Sequence, residues 1–271
     1  MMTKNNEKET FSASEIDELI HYGRDVPRPI VTRPNDYTTS RRTGLHWHVR
    51  AQLLYASQGV MKVSTARGSW VVVPQRAVWI PATERHDLET LGPISLRSLF
   101  IQPDAAQGLP AECCVVNVSP LLRELIAAAC ELPKTYGLGG REEHIMVLIL
   151  DEIRAVSVAP LHLPEPTDPR LVRIGAAIRE RPADNRSLAA WGRTIGASSR
   201  TLARLFVAET GLTFRQWQQQ ARLLESLVRL ADGQSVTTVA MEVGYESTSA
   251  FIAMFRRVLG TTPKKYFALE S

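Results

Sequence analysis

Two histidines separated by one residue are the first side chains whose spacing could support chemistry. His46 and His48 lie in the stretch "HWHVRAQLLYASQG", and Gln52 follows shortly after them. If this stretch is extended, both imidazoles lie on one face, because residues i and i+2 of a strand share a side. Imidazole nitrogens suit Zn, Ni, Fe or Cu, and a catalytic metal would need an open fourth coordination position. A pocket without a metal is the alternative.

The segments around these histidines are typical of a small β-rich domain. The runs "QLLYAS", "GVMKVST", "GSWVVV" and "RAVWIPA" contain many β-branched and aromatic residues, with Gly or Pro between them. This spacing favours an antiparallel barrel or sandwich. Before it, "SASEIDELIHY" predicts a short amphipathic helix capped by Ser12 or Ser14, after a polar, disordered start.

The composition is typical of a globular protein without a transmembrane segment. The chain has 271 residues, 44% of them apolar, which is enough to bury a core. No apolar run reaches about 18 residues, and the start "MMTKNNEKET" lacks the apolar segment of a secretory signal. We therefore expect a cytoplasmic protein with no membrane partner. Its three cysteines have no metal-ligand spacing and are expected to be reduced thiols.

The histidine stretch resembles the first motif of the cupin barrels. It has the H-x-H pair, then Gln52 where Glu is usual, then Gly59. Further on, "WIPATERH" resembles the second cupin motif and supplies His86, with Thr83 where glycine is usual. The resemblance implies a barrel that brings the three histidines together.

Three uses of this cluster remain open. One is a bound divalent metal (Zn, Ni, Fe or Cu) with His46, His48 and His86 as ligands. Another is a metal-free pocket for a small, partly apolar molecule, and the third is hydrogen bonding within the core. Neutral Gln52 removes an anionic ligand, which weakens the case for a metal. The candidate effector-binding residues are His46, His48, Gln52, Trp79 and His86, although Trp79 could equally be a core residue.

A helical hairpin and a proline-rich segment follow. "LLRELIAAACEL" (121–132) and "REEHIMVLILDEIRAV" (141–156) have apolar residues at helical spacing, with "GLGG" between them. Ile145, Leu148, Ile149 and Ile153 could form a dimer contact or could cover the barrel. Prolines at 160, 164, 166 and 169 predict a linker.

Positive charge is concentrated after this linker. From Pro169 onward, 15 Lys+Arg minus 8 Asp+Glu gives +7, whereas the preceding residues have 17 minus 20, or −3. Such segregation favours a phosphate-rich partner through counterion release, and improved solubility is the alternative.

The basic part contains two similar helical units. In the first, Ser187 can cap "LAAWGRTI", Gly196 permits a turn, and Ser198 or Ser199 can cap "SRTLARLFVAET". In the second, "SVTTVAMEV", Gly244 and "STSAFIAMFRRVLG" repeat this order. Each has the outline of a helix-turn-helix, whose second helix enters the major groove of DNA. Between them, "TFRQWQQQARLLESLVRLADG" predicts a helix of about 18 residues, or about 27 Å, which could space the two units by roughly one DNA turn.

Specific residues of this part resemble the AraC/XylS family of bacterial transcription regulators. The stretches "GASSRTLARLFVAETGLTFRQWQQQARL" and "GYESTSAFIAMFRRVLGTTPKKY" carry the resemblance, which covers roughly residues 170–267. It implies that one recognition helix presents Ser199, Arg200, Ala203 and Arg204 to DNA, and the other presents Thr248, Ser249 and Ala253. Arg256, Arg257, Lys264 and Lys265 are better suited to contact the phosphate backbone.

The expected fold class is a multidomain α+β protein. It has a cupin-like antiparallel β-barrel with a helical hairpin, followed by an all-α domain with two helix-turn-helix motifs. The expected boundaries are 1–25 for an N-terminal arm, 26–110 for the effector-sensing barrel, 111–160 for a helical dimerisation region, 161–169 for the linker and 170–271 for the DNA-binding domain.

The resemblance implies a sequence-specific transcription regulator that responds to a small-molecule or metal effector. Its expected partners are promoter DNA, the effector, a second copy of the chain and, where it activates transcription, RNA polymerase. The rival is a metal-dependent cupin oxygenase or isomerase that carries a DNA-binding domain. Gln52 and the lack of an obvious carboxylate near the histidines argue against an enzyme, so we expect no catalytic residues.

Overall fold

The chain forms two compact units in a computed structural model that describes residues 9–74, 76–153 and 161–267. Of these residues, one unit comprises 9–66, 70–74 and 76–153, and the other comprises 67–69 and 161–267. The predicted polar start before residue 9 and the predicted helix end at 154–156 lie outside the described residues.

The first unit begins with a short strand and a helix, β1 (Glu9–Thr10) and α1 (Ala13–His21). Ser12 caps α1: its hydroxyl accepts a hydrogen bond from the backbone nitrogen of Glu15 at 3.3 Å, and the Glu15 carboxylate accepts one from the backbone nitrogen of Ser12 at 2.8 Å. This capping box satisfies two backbone donors at the start of the helix. The predicted helix is therefore confirmed, with Ser12 as its cap.

Two sheets form the β-rich domain that was predicted. Their further strands are β2 (Ile30–Tyr37), β3 (Arg41–Arg42), β4 (Ala51–Gln58), β5 (Met61–Thr65), β6 (Gly68–Val72), β7 (Arg76–Ile80), β8 (His86–Thr90), β9 (Ile94–Ile101) and β10 (Cys114–Asn117). Within this unit the first sheet has the order β1-β3-β8-β5-β6, and the second has the order β10-β7-β4-β9-β2. Pro34 is tolerated inside β2 because this strand lies at the edge of its sheet.

The helical hairpin packs on one face of the second sheet. Its helices are α2 (Pro120–Cys130), capped by the Ser119 hydroxyl, and α3 (Arg141–Glu152). Ile145, Ile149 and Ile153 are buried in one apolar cluster with Leu53 and Trp79 of the sheet. These isoleucines therefore cover the sheet, and the suggestion that they form a dimer contact is wrong. Of the four apolar residues proposed there, Leu148 alone remains substantially exposed.

The start of the helical region also differs from the predicted boundary at residue 111. Strand β10 pairs antiparallel with β7, with Cys114 opposite Trp79 and Asn117 opposite Arg76. The sheet therefore continues to Asn117. The run "CVVN" is too short to show a strand period by itself, and its pairing partner lies far away in the sequence.

The second unit is mainly helical, as predicted. Its elements are β11 (His162–Pro164), α4 (Pro169–Glu180), α5 (Leu188–Ile195), α6 (Ser199–Thr210), α7 (Phe214–Ala231), α8 (Val236–Glu242), α9 (Thr248–Leu259) and α10 (Pro263–Phe267). None of the helices in the described ranges is long and apolar enough to span a lipid bilayer.

The proline-rich segment that was predicted to be a linker is hydrogen-bonded to residues of the second unit. The indole nitrogen of Trp217 donates to the carbonyl oxygen of Pro164 at 2.8 Å, and the Glu209 carboxylate accepts from the backbone nitrogens of Thr167 and Asp168 at 2.7 and 3.0 Å. Proline restricts the backbone dihedral φ but leaves the neighbouring carbonyl and N–H groups able to form tertiary hydrogen bonds. The segment is thus part of the second unit.

Candidate functional site

The structure brings His46, His48 and His86 into one cluster between the two sheets of the first unit. Their ring centroids lie 4.8 Å (46–48), 4.4 Å (46–86) and 5.2 Å (48–86) apart. His46 pairs with His86 through an isolated β-bridge, whereas His48 lies in an irregular segment before β4. The three-histidine cluster implied by the sequence is therefore present, although the regular strand expected around His46 and His48 is not.

Each of the three imidazoles is fixed by a backbone carbonyl. Nδ1 of His46 lies 2.9 Å from the oxygen of Gly44, Nδ1 of His48 lies 2.9 Å from that of Leu19, and Nδ1 of His86 lies 3.0 Å from that of Glu84. A carbonyl oxygen can only accept, so each Nδ1 carries the proton. In the neutral ring, Nε2 then keeps its lone pair.

Burial keeps these rings neutral. It lowers the pKa of His46 and is the main reason that the pKa of His48 falls to about 2 and that of His86 to about 3. The neighbouring imidazoles lower the pKa values of His48 and His86 further, because charges on adjacent rings would repel each other. The cluster therefore presents neutral nitrogen donors at neutral pH.

A cavity beside the cluster collects polar and apolar side chains from both sheets. Gln52 and Leu54 reach it from β4, at alternate positions of the strand. The other lining residues are Phe11, Leu19, Arg33, Asn35, Tyr37, Thr43, His46, His86, Leu88, Leu96 and Ser98. The sequence did not indicate Leu19 or Arg33 for this site, because they come from α1 and β2, which no motif connected with it.

Trp79 does not belong to this cavity, so its assignment to the effector site is wrong. Trp79 lies opposite Leu53 in the pairing of β7 with β4, and both pack in the cluster under the helical hairpin. Its indole nitrogen donates to the carbonyl oxygen of Pro110 at 2.7 Å. The alternation that sends Gln52 into the cavity sends Leu53 and Trp79 to the opposite face.

In the second unit, α5 and α6 form the first helix-turn-helix. Gly196 ends α5 in the left-handed conformation, and the Ser198 hydroxyl caps α6. Leu202 and Phe206 are buried on the inner face of α6. The four predicted DNA-binding residues lie exposed on α6: Ser199, Arg200, Ala203 and Arg204.

Helices α8 and α9 form the second helix-turn-helix, with Ser247 capping α9 and Gly260 ending it. Thr248 is partly buried, whereas Ser249 and Ala253 are exposed. The predicted backbone contacts, Arg256, Arg257, Lys264 and Lys265, are all exposed at this end of the unit. Arg257 also donates to the Gln219 side chain on α7 at 3.3 Å.

The connecting helix α7 has the length predicted for it. It spans 18 residues, from a capping box of Thr213 and Gln216 to Ala231. Arg222 is buried on this helix and donates to the carbonyl oxygens of Pro182 and Asp184 at 2.8 and 3.0 Å. This role was not predictable from the sequence, because an arginine on a basic helix is usually solvated. Arg222 fixes the loop that precedes α5.

Known proteins resemble both the histidine-containing unit and the helix-turn-helix unit of this chain. Residues 29–145 match a family model described as an AraC-like ligand binding domain, and residues 191–268 match a helix-turn-helix domain. The chain is 37% identical to the HTH-type transcriptional regulator NimR of Escherichia coli, over 83% of this chain and 82% of that protein. It is 26% identical to the virulence regulon transcriptional activator VirF of Yersinia enterocolitica, over 82% of this chain and 84% of VirF. A crystal structure of ToxT from Vibrio cholerae aligns with 88% of this chain and 96% of its own, with 14% identity and a TM-score of 0.37.

Proposed function

Given that the chain belongs to the AraC family of DNA-binding transcription regulators with an N-terminal ligand-binding domain, we propose how it reads DNA and where its effector binds. The observation that carries the proposal is the pair of capped helix-turn-helix units joined by the single helix α7. One chain can then place two recognition helices on the same face of a DNA duplex.

Helix α6 reads the more specific half of the operator. Arg200 and Arg204 are exposed one turn apart on α6, where both can enter the major groove together. Each guanidinium can donate two hydrogen bonds to O6 and N7 of a guanine, which discriminates by about 1–3 kcal/mol per base pair. Ser199 and Ala203 lie beside them and allow close approach to the bases.

Helix α9 reads the other half more loosely. Its predicted contacts are the short side chains of Thr248, Ser249 and Ala253, which can touch thymine methyl groups or phosphates but carry little hydrogen-bond information. Arg256, Arg257, Lys264 and Lys265 contact the phosphate backbone in this proposal, and such contacts position the protein without specifying a sequence.

The length of α7 supports a spacing of one DNA turn. Its 18 residues span about 27 Å. Recognition helices that enter successive major grooves on one face of B-DNA lie about 34 Å apart. The difference is within the reach of the segments that join α7 to α6 and α8.

The effector binds in the cavity beside His46, Gln52 and His86, within the part of the chain that matches the ligand-binding domain. Binding changes transcription if the effector binds more tightly to one arrangement of the regulator than to another. We assign the protein no catalytic role. In support, its relatives NimR and VirF are a transcriptional regulator and a transcriptional activator.

The regulator acts as a homodimer in this proposal, through the outer face of the helical hairpin. Leu121 on α2 and Val147 and Leu148 on α3 are 53%, 49% and 45% exposed, respectively, after the opposite face has covered the sheet. Dimerisation raises the effective concentration of the second DNA-binding domain once the first is bound. The protein acts on promoters in the bacterial cytoplasm and contacts RNA polymerase where it activates.

Mapping of bound sites across the genome of the native bacterium tests this function. We expect discrete promoter sites that share a motif with one well-defined half and one degenerate half. Occupancy spread evenly over the chromosome, at the level of an Arg200→Ala/Arg204→Ala double variant, would contradict sequence-specific regulation.

A further inference from the structure

The histidine cluster leaves buried acceptor atoms without partners. Nε2 of His48, Nε2 of His86 and Oε1 of Gln52 are buried and have no hydrogen-bond partner among the residues that the structure describes. A buried polar atom without a hydrogen-bond partner destabilises the folded state, because it loses its contacts with water and gains none in return. Histidines that merely satisfied hydrogen bonds in the core would use these atoms. Three uncompensated acceptors in one cluster instead fit a bound cation.

The hydrogen bonds at the other ring nitrogens also fit a metal ion. All three Nδ1 atoms donate to backbone carbonyls, which leaves every Nε2 as a potential ligand. Metal-binding histidines nearly always donate their second nitrogen to such a carbonyl or to a carboxylate, which fixes the ring and the tautomer. Candidate ligand atoms of the three residues lie within 4.8 Å of one another. In a tetrahedral zinc site the ligand nitrogens are roughly 3.4 Å apart, so small side-chain rotations would complete the site.

The volume of the cavity bears on whether the effector is an ion or an organic molecule. The cavity has a volume of ≈ 20 Å³. Such a space holds about one water molecule or an ion, whereas sites for small organic molecules usually have roughly 300–1,000 Å³. In this conformation the open space of the cavity therefore fits an ion more closely than the partly apolar molecule that was the alternative.

We propose that this barrel is a sensor for a divalent transition-metal ion, bound by Nε2 of His46, His48 and His86 with Gln52 Oε1 as the fourth donor, and that the bound ion fixes helix α1 through His48. The proposal deepens the proposed function, on which it rests, by naming the effector. Imidazole nitrogens favour ions of the Zn, Ni and Cu group.

Gln52 makes the site suited to reversible binding. A neutral amide oxygen holds a cation less tightly than a carboxylate would, because it contributes no charge. A sensor must release its ion when the free concentration falls. The replacement of the usual Glu by Gln, which weakened the case for a catalytic metal, is thus consistent with sensing.

His48 connects the site to α1. Its Nδ1 donates to the carbonyl oxygen of Leu19 in the last turn of the helix, and the Leu19 side chain lines the cavity. A cation on Nε2 withdraws electron density from the ring, so the Nδ1–H group becomes a stronger donor to Leu19. Neither His46 nor His86 makes this contact, since their Nδ1 atoms donate to Gly44 and Glu84. Of the three proposed histidine ligands, His48 is therefore the one through which metal binding should order α1.

Metal binding to the full-length, chelator-stripped protein tests the first half of the proposal. Zn²⁺ should bind with one equivalent per chain in calorimetry, and Co²⁺ should give the visible absorption of a tetrahedral site. Gln52→Glu should tighten Zn²⁺ binding at least tenfold, and His86→Ala should weaken it at least tenfold. Failure of the wild type to bind, or equal binding by all three proteins, would overturn the metal site. A purely structural Gln52 predicts no tightening by Glu, so this variant stays informative even if His86→Ala folds poorly.

Hydrogen exchange of residues 13–22 tests the second half. Zn²⁺ should slow exchange in α1 at least threefold in the wild type and in Gln52→Glu, and should leave it unchanged in His86→Ala. Stoichiometric Zn²⁺ binding without slower exchange in α1 would overturn the connection to the helix. Operator binding by the wild-type protein is measured in parallel, with and without Zn²⁺. Absence of operator binding under both conditions would count against the proposed regulator, whereas the two metal experiments report on the sensor.

Discussion

Glu209 on α6 accepts a hydrogen bond of 2.7 Å from the backbone nitrogen of Thr167, which lies in the proline-rich segment before α4. The same carboxylate oxygen accepts from the backbone nitrogen of Asp168 at 3.0 Å. The segment that enters the DNA-binding unit is therefore held by the helix proposed to read the operator. A displacement of the backbone at Thr167 and Asp168 would therefore break or shift hydrogen bonds to Glu209 on α6.

We expect Glu209→Ala to lower the free energy of unfolding of the DNA-binding unit by about 1 kcal/mol, because two backbone donors lose their acceptor at a partly exposed site. Urea unfolding followed by tryptophan fluorescence and far-UV circular dichroism measures the change, and hydrogen exchange at Thr167 and Asp168 should become faster. Glu209→Gln keeps an acceptor oxygen and should lose less than half as much. Equal losses in both variants would show that the carboxylate does not act through these hydrogen bonds.

Arg204→Ala should reduce discrimination between operator and random DNA by about 1–3 kcal/mol, since a contact to base edges is lost. Lys264→Ala should weaken binding to both DNAs about equally and flatten the salt dependence of affinity by about one phosphate contact. Fluorescence anisotropy titrations at several salt concentrations measure both quantities. If the two variants behave alike on every sequence, α6 is not the recognition helix.

Thr83 has a φ of 67°, in the left-handed region that a β-branched residue rarely adopts. Its backbone nitrogen donates to the carbonyl oxygen of His48 at 2.8 Å, so the strained turn supports the histidine segment. Thr83→Gly should raise stability by about 0.5–1 kcal/mol, as relief of strain exceeds the added entropy of glycine in the unfolded chain. Thr83→Ala keeps a Cβ and should give little of this gain in thermal unfolding. A loss of stability with glycine would contradict the strain.

Acid should destabilise the metal-free protein through the histidine cluster. The pKa of His48 is about 2 and that of His86 about 3 in the folded state, below the ordinary value of 6.5. Below pH 6.5 the unfolded chain takes up protons that the folded cluster does not, so stability falls as the pH decreases from about 6.5 toward 3. The slope should be about 1.4 kcal/mol per pH unit for each histidine. Urea unfolding in the presence of chelator measures this slope. In His86→Gln the slope should be smaller by about 1.4 kcal/mol per pH unit, the contribution of one histidine. An unchanged slope would contradict a lowered pKa of His86.

Local patterns predicted the helical half well. Caps such as Ser187 and Thr213 and the turn at Gly196 are specified within a few residues, so the helices and their order follow from the sequence. The cluster of His46, His48 and His86 was implied by the resemblance to the two cupin motifs, although His86 lies far from the other two in the sequence.

Contacts between distant residues were not predictable in this way. Leu19 and His48 meet across 29 positions, and no periodicity connects α1 with the cavity. Trp79 was assigned to the wrong face of the sheet. The residue type alone does not show which face an aromatic side chain occupies, because the face depends on the register of β7 with β4. The proline-rich segment looked like a linker because proline content does not reveal the tertiary hydrogen bonds of its backbone.

The central claim is that one chain places α6 and α9 in successive major grooves. Hydroxyl-radical footprinting of the full-length protein on an operator taken from the genomic map tests it most directly. We predict two protected patches per chain whose centres are about 10–10.5 base pairs apart, with the patch under α6 lost first in Arg204→Ala. A single patch per chain, or two patches at a spacing far from one helical turn, would contradict the claim.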